Sequence, residues 1–407
     1  MTEGKPDRKE SGFKETTRIA AARERLREVV TPHDRTERVS LEAADGRVLA
    51  EDVVAERDVP HYPRAAMDGY AVRAADTFGA SDRSPELLRR EEAMGPEAAV
   101  RVHTGSELPE GADAVVMIEQ ANEMSGDVEV FDAVAEGENV APVGEDVEAG
   151  KRLYEAGHRL RPSDLGLLKS VGVREVAVYD PPSVAVVPTG EELVAEDPGP
   201  GEVVETNGLT VSRYVERWGG ASSYRDVVTD DEDALRAAIE RDSDHDVVVT
   251  TGGSSVGERD LLPEVVDDLG EVLVHGVALK PGHPAALGVV DDTPVVMLPG
   301  YPVACIVNAV QFLRPAMKWA GHLPIEDVPT TTARLDRKIR SEPGVKTFAR
   351  VSLDEDDGDR VATPTRASGS GVLSSVALAD GWVVVPESSE GIPEGETVTV
   401  QDWEALP

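Results

Sequence analysis

Four short stretches carry residues whose types and spacing suit chemistry on an anion: "VVPTGEEL" (186–193), "DVVVTTGGSSVGERD" (246–260), "LKPGHP" (279–284) and "VVMLPGYPVA" (295–304). In three of them a valine-rich run ends on a loop of glycine, threonine, serine or proline. Glycines let backbone N–H groups approach an oxyanion, and a following helix N-terminus adds favourable partial charge. The candidate ligand contacts are Thr189 and Gly190, then Gly252, Gly253, Ser254, Ser255 and Gly257, then Pro299, Gly300, Tyr301 and Pro302. Glu192 and Asp260 offer hard oxygen ligands for a Mg2+ that bridges phosphate oxygens. Lys280 and His283 offer positive charge to the same pocket, and Glu258 reads as a solvated acid. Taken singly these signals are weak: "GGSSVG" is neither a P-loop nor a GxGxxG fingerprint, and a lone glycine-rich turn is often structural. Three such loops at the strand ends of one sheet point to a phosphorylated small molecule bound with Mg2+.

The elements that must position these loops alternate from residue 182 onward. "SVAVVPTGEEL", "NGLTVSRYVERWG", "DEDALRAAIERD", "HDVVVTTGG", "RDLLPEVVDDLG" and "TPVVMLPG" read in turn as strand and helix. That pattern predicts a mostly parallel sheet with helices on both faces, whose ligands sit beyond the carboxyl ends of the strands. Asn207 reads first as a helix cap and second as a ligand contact. Upstream, residues 16–30 place Ile19, Leu26, Val29 and Val30 on one helical face. "DGRVLAEDVVA" has the alternation of a strand, and residues 61–149 are short β-like segments broken by Gly, Pro and acids. Ser163, after Pro162, is the expected cap of a further helix. From about 326 the chain returns to β segments spaced by turns, which suggests a small barrel.

Composition bounds the function. The 407 residues are too many for one typical core. No apolar run reaches the ~18 residues of a membrane helix, and the polar start lacks a signal peptide, so a cytoplasmic protein is expected. Asp and Glu total 78 against 41 Lys and Arg, a formal net charge of −37. Acids dispersed over every segment suit a salt-adapted, halophilic cytoplasm, where the Debye length falls to about 3 Å at 1 M salt. No basic stripe is visible, which disfavours nucleic acid. Cys305, the single cysteine, lies in apolar "ACIVNAV" and reads as a small buried hydrophobe; the eight histidines show no zinc spacing.

The chain resembles the MoeA family of molybdopterin molybdenumtransferases, whose mammalian counterpart is the E domain of gephyrin, from about residue 16 to 400. Besides those loops, the resemblance rests on "PRAAMDGYAV" (63–72), "HTGSELPEGADAVVMIE" (103–119), "GEDV" (144–147), "ETNGL" (205–209) and "SGSGVLSSVALADG" (368–381). It implies insertion of molybdate into adenylylated molybdopterin, with Mg2+-dependent cleavage of the adenylate and release of AMP. It implies an elongated homodimer whose clefts join the second domain of one subunit to the α/β domain of the other. Molybdopterin adenylyltransferase and molybdoenzymes are the implied protein partners.

The implied domains are a flexible tail at 1–15, a discontinuous first domain at 16–60 and 147–181, and a β-rich second domain at 61–146. A doubly wound, molybdopterin-binding-like α/β domain follows at 182–325, and a β-barrel at 326–407. Carried across, Asp68, Thr104, Asp113 and Asp146 are the functional positions of the second domain; Glu192, Asp260, Lys280, Pro299 and Pro302 are those of the α/β domain. Asp68, Glu192 and Asp260 are the implied catalytic positions. Against these stand bland readings: Asp68 as support for a turn at Gly69, and Asp113 as a turn carboxylate. His283 stands where the family has the second lysine of "KPGKP", and Tyr301 where it has the asparagine of "LPGNP". A largely neutral histidine weakens anion affinity at pH 7, so a tungstate-preferring member of the family is the rival within the same reaction. Adenylylation of molybdopterin is a second enzymatic rival, and a non-catalytic scaffold or carrier of molybdopterin is the rival without chemistry.

Overall fold

A computed structural model describes residues 16–252, 261–356, 358–365 and 370–405. Residues 37–178 form one compact unit, and the chain on either side of them forms the other. Helix α1 (Ile19–Val29) buries Ile19, Ala22 and Leu26, one stripe at helical spacing. It precedes the 37–178 unit in sequence but packs into the core of the other, beside Val274, Leu287 and Phe312.

The 37–178 unit holds a six-stranded sheet and a separate small core. The sheet strands are β1 (Gly69–Val72), β2 (Glu86–Arg90), β3 (Ala98–Val102), β4 (Ala114–Met117), β5 (Ala121–Met124) and β6 (Asp127–Val130), in the order β4-β1-β3-β2-β6-β5. The small core gathers Leu41, Leu49, Leu160, Leu168 and Val178 around helix α2 (Pro162–Ser170). Two expectations fail here. "DGRVLAEDVVA" is no continuous strand: Val48 bridges Arg159, Leu49 bridges Val178, and only Val53–Val54 forms a strand. Successive residues pair with different segments, so alternation alone overstated the element. Ser163 does not cap α2 either. Arg161 is the cap residue, Pro162 takes the first helical position, and Asp164 accepts the Arg161 backbone N–H at 2.9 Å.

The α/β sheet contains β7 (Ser183–Pro188), β8 (Ala221–Tyr224), β9 (Val247–Thr251), β10 (Glu271–His275), β11 (Ala286–Val290) and β12 (Thr293–Leu298). Between them lie α3 (Asn207–Arg217), α4 (Glu232–Arg241) and α5 (Leu261–Leu269); α6 (Pro302–Asn308) and α7 (Arg314–Ala320) follow. The order is β8-β7-β9-β12-β11-β10. The first four strands are parallel, and β11 runs antiparallel to both its neighbours. Continuous valine runs suit strands covered on both faces. Val184, Val186, Val249 and Leu298 face α1, α3, α6 and α7, whereas Ala185, Val187, Val248 and Met297 face α4 and α5.

The barrel strands are β13 (Thr330–Leu335), β14 (Lys346–Asp356), β15 (Asp359–Pro364), β16 (Gly381–Val385) and β17 (Thr397–Gln401). The ring β14-β15-β13-β17-β16 closes through pairing of β16 with β14. Leu335, Val351, Ala362, Val383 and Val400 fill it. Trp382 stacks on Trp403 with centroids 4.3 Å apart, and both join the α/β core.

One buried titratable group lies close in sequence to residue 37, where the second unit begins. His33 is 9% exposed, and neither ring nitrogen has a hydrogen-bond partner among the described residues. Its ring meets that of His322 edge-on at 5.9 Å, and His322 in turn stacks on Tyr179 at 3.7 Å. Burial lowers the His33 pKa from its ordinary 6.5, with Arg35 and His322 acting the same way and Asp246 and Asp180 opposing. The unfolded chain therefore takes up this proton at a higher pH than the folded one. Stability is complete above pH 6.5 and is lost as pH falls below it through the lowered folded value. The thermal midpoint should fall across that window, and His33→Phe should flatten the fall. An unchanged pH slope in the variant, measured by calorimetry, would assign the loss to other groups.

Candidate active site at the strand ends

The three glycine- and proline-bearing loops stand side by side, because β7, β9 and β12 are neighbours in parallel register. Pro188 pairs with Thr251, and Thr251 with Leu298. From β7 the chain passes to β8 on one side, then returns to β9 and β12 on the other, so β7 and β9 flank the topological switch point. The loops touch. Thr189 N–H donates to the Thr251 carbonyl at 3.3 Å, and Gly252 N–H to that of Leu298 at 3.1 Å. Gly252 has φ +131°, and a Cβ there would lie 2.0 Å from the Thr189 carbonyl oxygen. Only glycine fits.

This revises what the glycines do. Gly190 N–H donates to the Val228 carbonyl at 3.1 Å, so the N–H groups of Gly190 and Gly252 are both engaged within the protein. Glycine serves close backbone approach at these two positions, and the amide itself is not aimed at an anion. Gly253, Ser254, Ser255, Gly257, Glu258 and Asp260 lie outside the described residues. The hydroxyls of Thr189, Thr250 and Thr251 are buried at the strand ends without a partner among the described residues.

Asn207 does not cap its helix. Thr206 holds the cap position, and Asn207, the first helical residue, donates Nδ2–H to the Gly300 carbonyl at 2.7 Å. It therefore links the α3 terminus to the loop after β12. In that loop Pro299 is buried, Pro302 opens α6, and Tyr301 is 62% exposed.

A carboxylate that sequence reasoning missed joins Glu192. Thr189 bridges Val228 in parallel, and Val228 N–H donates to the Pro188 carbonyl at 2.8 Å. That ladder carries Asp230 alongside residues 191 and 192. Burial, then the charges of Glu192 and Glu191, hold the half-buried Asp230 carboxyl above its ordinary pKa. Its signal was hidden by its neighbour: Asp231 caps α4 by accepting the Ala234 N–H at 3.0 Å, so the Asp-Asp pair reads as capping chemistry alone. Among the described residues no three His, Cys, Asp or Glu side chains converge as a metal cage. Two or three loosely gathered carboxylates fit a Mg2+ that keeps waters and binds substrate phosphates; they do not fit a closed protein site.

Lys280 and His283 lie on a loop between β10 and β11 that packs against α6, the helix opened by Pro302. Leu279 and Lys280 pair in parallel with Lys346 and Thr347 of the barrel, and Lys280 Nζ donates to Glu342 Oε1 at 2.7 Å. Both partners are about half exposed or more, so this pair adds little stability and yields readily to another anion. The exposed His283 has its pKa lowered by partial burial of the ring and then by Lys280. It is therefore neutral at pH 7, as the sequence implied.

In the 37–178 unit, Asp68 and Thr104 come together. Asp68 Oδ1 accepts the Thr104 backbone N–H at 2.6 Å and its hydroxyl at 2.8 Å. Those two bonds, the backbone one first, pull the Asp68 carboxyl below its ordinary range. Thr104 thus orients Asp68. Gly69 is not a turn: it opens β1, where a Cβ would lie 1.9 Å from the Val116 carbonyl oxygen. Asp113 lies at the other end of β1 and accepts the Ala74 N–H at 2.6 Å, a backbone-holding role. Asp146 is exposed, with its own N–H donating to the Val59 carbonyl at 3.0 Å.

Comparison with known proteins identifies the family. Residues 17–172 match the MoeA N-terminal region (domain I and II), residues 185–319 the "Probable molybdopterin binding domain", and residues 332–403 the MoeA C-terminal region (domain IV). A protein named for molybdopterin biosynthesis in Methanocaldococcus jannaschii is 38% identical over 392 residues, covering 93% of this chain and 94% of its own. The molybdopterin molybdenumtransferase of Bacillus subtilis is 34% identical over 387 residues, 90% of this chain and 89% of its own. The solved structure of the MoeA protein from Pyrococcus horikoshii OT3 aligns with a TM-score of 0.81 at 31% identity, covering 96% of this chain and all of its own. With three consecutive family regions, full-length relatives and a shared fold, the chain belongs to the MoeA family.

Proposed function

We propose that the chain is a molybdopterin molybdenumtransferase of molybdenum cofactor biosynthesis, which joins molybdate to adenylylated molybdopterin and releases AMP. The observation that carries this reading is the gathering of Glu192 and Asp230 beside the close-packed strand ends at the switch point. Breaking a phosphoanhydride requires positioning and charge neutralisation more than a protein nucleophile. Glu192 and Asp230, with Asp260 as the third candidate, would hold Mg2+; the ion supplies neutralisation of the phosphate oxygens. Asn207 fixes the loop of Gly300 to Pro302, the buried threonine hydroxyls stand at the strand ends, and Lys280 presents an ammonium for an oxyanion. Asp68, kept ionised by Thr104, is the proposed contribution of the 37–178 unit.

The compartment we propose is a salt-rich cytoplasm. No helix among the described residues is long and apolar enough to cross a membrane, and a net charge of −37 self-repels in dilute buffer. The reaction is tested by incubating the protein with adenylylated molybdopterin, Mg2+ and either molybdate or tungstate, with AMP release as the readout, from dilute buffer to molar KCl. Release should require Mg2+ and rise with salt. Asp230→Asn and Glu192→Gln should each lower the rate by about 10²–10³ without loss of fold. Full turnover in both variants would remove these carboxylates from the site; full activity and stability in dilute buffer would remove the salt-adapted reading.

Homodimerisation with shared clefts is the arrangement proposed from the family resemblance. It predicts that Asp68→Ala and Glu192→Gln proteins, each inactive alone, recover activity after subunit exchange. A mixed dimer then has one cleft with both defects and one with neither, so random exchange should restore about a quarter of wild-type activity. Exchange verified by mass with no recovered activity would show that both residues act within one chain, or not at all.

A further inference from the structure

The Lys280–Pro284 loop is held from beneath by a side chain that takes no part in the strand-end loops. Asn308 is fully buried at the end of α6. Its Nδ2 donates to two carbonyls: Ala304, one turn back in its own helix, at 2.8 Å, and Gly282 in the loop at 3.0 Å. Its Oδ1 has no partner among the described residues. Leaving a buried acceptor unpaired is unfavourable, so an apolar side chain would suit the helix better unless the donors matter. The fit is tight, for a Cβ on Gly282 would lie 2.1 Å from Asn308 Nδ2, and Gly282 adopts φ +115°.

The helix is irregular at this point. Residues Ala309–Leu313 form a π-helical turn directly after Asn308, a feature that recurs at functional sites. The turn is anchored from α1, where Arg23 donates Nε–H to the Gln311 carbonyl at 2.8 Å and Nη2–H to Gln311 Oε1 at 2.7 Å. The loop backbone is otherwise tied by Val277 N–H to the His283 carbonyl at 2.8 Å and Gly276 N–H to that of Ala285 at 3.0 Å. With the main chain so engaged, the Lys280 side chain reaches Glu342, and His283 is exposed beside it.

We propose that Asn308 is a positioning residue for anion binding: its amide clamps Gly282 and so sets where the Lys280 ammonium and the His283 imidazole stand. This rests on the reading that the Lys280–Pro284 loop belongs to the substrate site. It assigns the substrate oxyanion, molybdate or a phosphate group, as the ligand whose affinity depends on the clamp.

Asn308→Ser separates the two bonds, since a serine hydroxyl reaches back to the carbonyl four residues earlier but is too short to reach the loop. In the full-length dimer or monomer as purified, amide exchange at residues 282, 283 and 285 should quicken about three- to tenfold, with the sheet amides of 295–298 unchanged. Inorganic molybdate, titrated by calorimetry, should bind more weakly by a similar factor. The His283 pKa, followed by NMR, should move up toward 6.5 as the loop opens to water. Asn308→Ala, which loses both bonds, should repeat these effects with an added fall in thermal midpoint. Lys280→Ala is the control for the site itself. If it weakens molybdate binding while Asn308→Ser leaves binding and loop exchange at wild-type values, Asn308 has no positioning role and the site stands. If Lys280→Ala binds molybdate normally, the loop is not part of the site and the inference falls with that assignment.

Discussion

Everything at the candidate site depends on how closely β7 and β9 approach at their carboxyl ends. At Gly252 the approach excludes even a methyl group, because the Thr189 carbonyl oxygen occupies the place where it would go. A side chain there would wedge apart two strands whose register places Thr189, Gly252 and Pro299 together. The ladder through Val228 that delivers Asp230 to Glu192 would be displaced with them. The contact between the Gly300 loop and Asn207 hangs from the same register. Gly69 against Val116 and Gly282 against Asn308 use the same device at other places in the chain. In each case the glycine is needed because another atom already fills the Cβ position.

The barrel contributes to this arrangement without carrying a strand-end loop itself. Its Trp382 and Trp403 lie in the α/β core, and Glu404 fastens the C-terminal segment to α3 through Arg217 at 2.8 Å. Residues 279 and 280 add to the edge of barrel strand β14, so the position of Lys280 is set jointly by the barrel in front and Asn308 beneath.

Much of the fold was legible because its signals are local. Valine runs ending on glycine or proline marked the parallel strands, and the turn-spaced β segments after residue 326 marked the barrel. What was not legible depends on which distant atoms a residue meets. Asn207 at a helix start looks like a cap, and only the Gly300 carbonyl across the sheet reveals its other role. Asp230 is masked by Asp231 until Val228 is seen to pair with Thr189. Thr104 reads as a ligand contact until its donors are found on Asp68. Glycine motifs suggested anion-binding amides, but at Gly190 and Gly252 those amides are engaged by neighbouring carbonyls. Alternation at residues 45–55 overstated a strand because a period of two does not say whether one partner runs alongside throughout.

The electrostatics of the molecule set a condition on how any anionic substrate is bound. The long-range field of 78 acids against 41 bases repels phosphate and molybdate, and at the strand ends Glu191, Glu192 and Asp230 add to the repulsion. Asp230 sits above its ordinary pKa because of burial first and the charges of Glu192 and Glu191 second, an unfavourable state that a divalent cation relieves. Salt removes the long-range part, since charges more than a Debye length apart no longer act, but it leaves contacts of about 3 to 4 Å largely intact. The affinity that survives must then come from few groups held in exact places. Of the candidate positions in the described α/β segment, Lys280 carries a full positive charge, and His283 beside it is neutral at pH 7. An acidic protein with so few cations facing its ligand relies on geometry where a basic one would rely on field strength, and its geometry is fixed by buried groups such as Asn308 and Gly252.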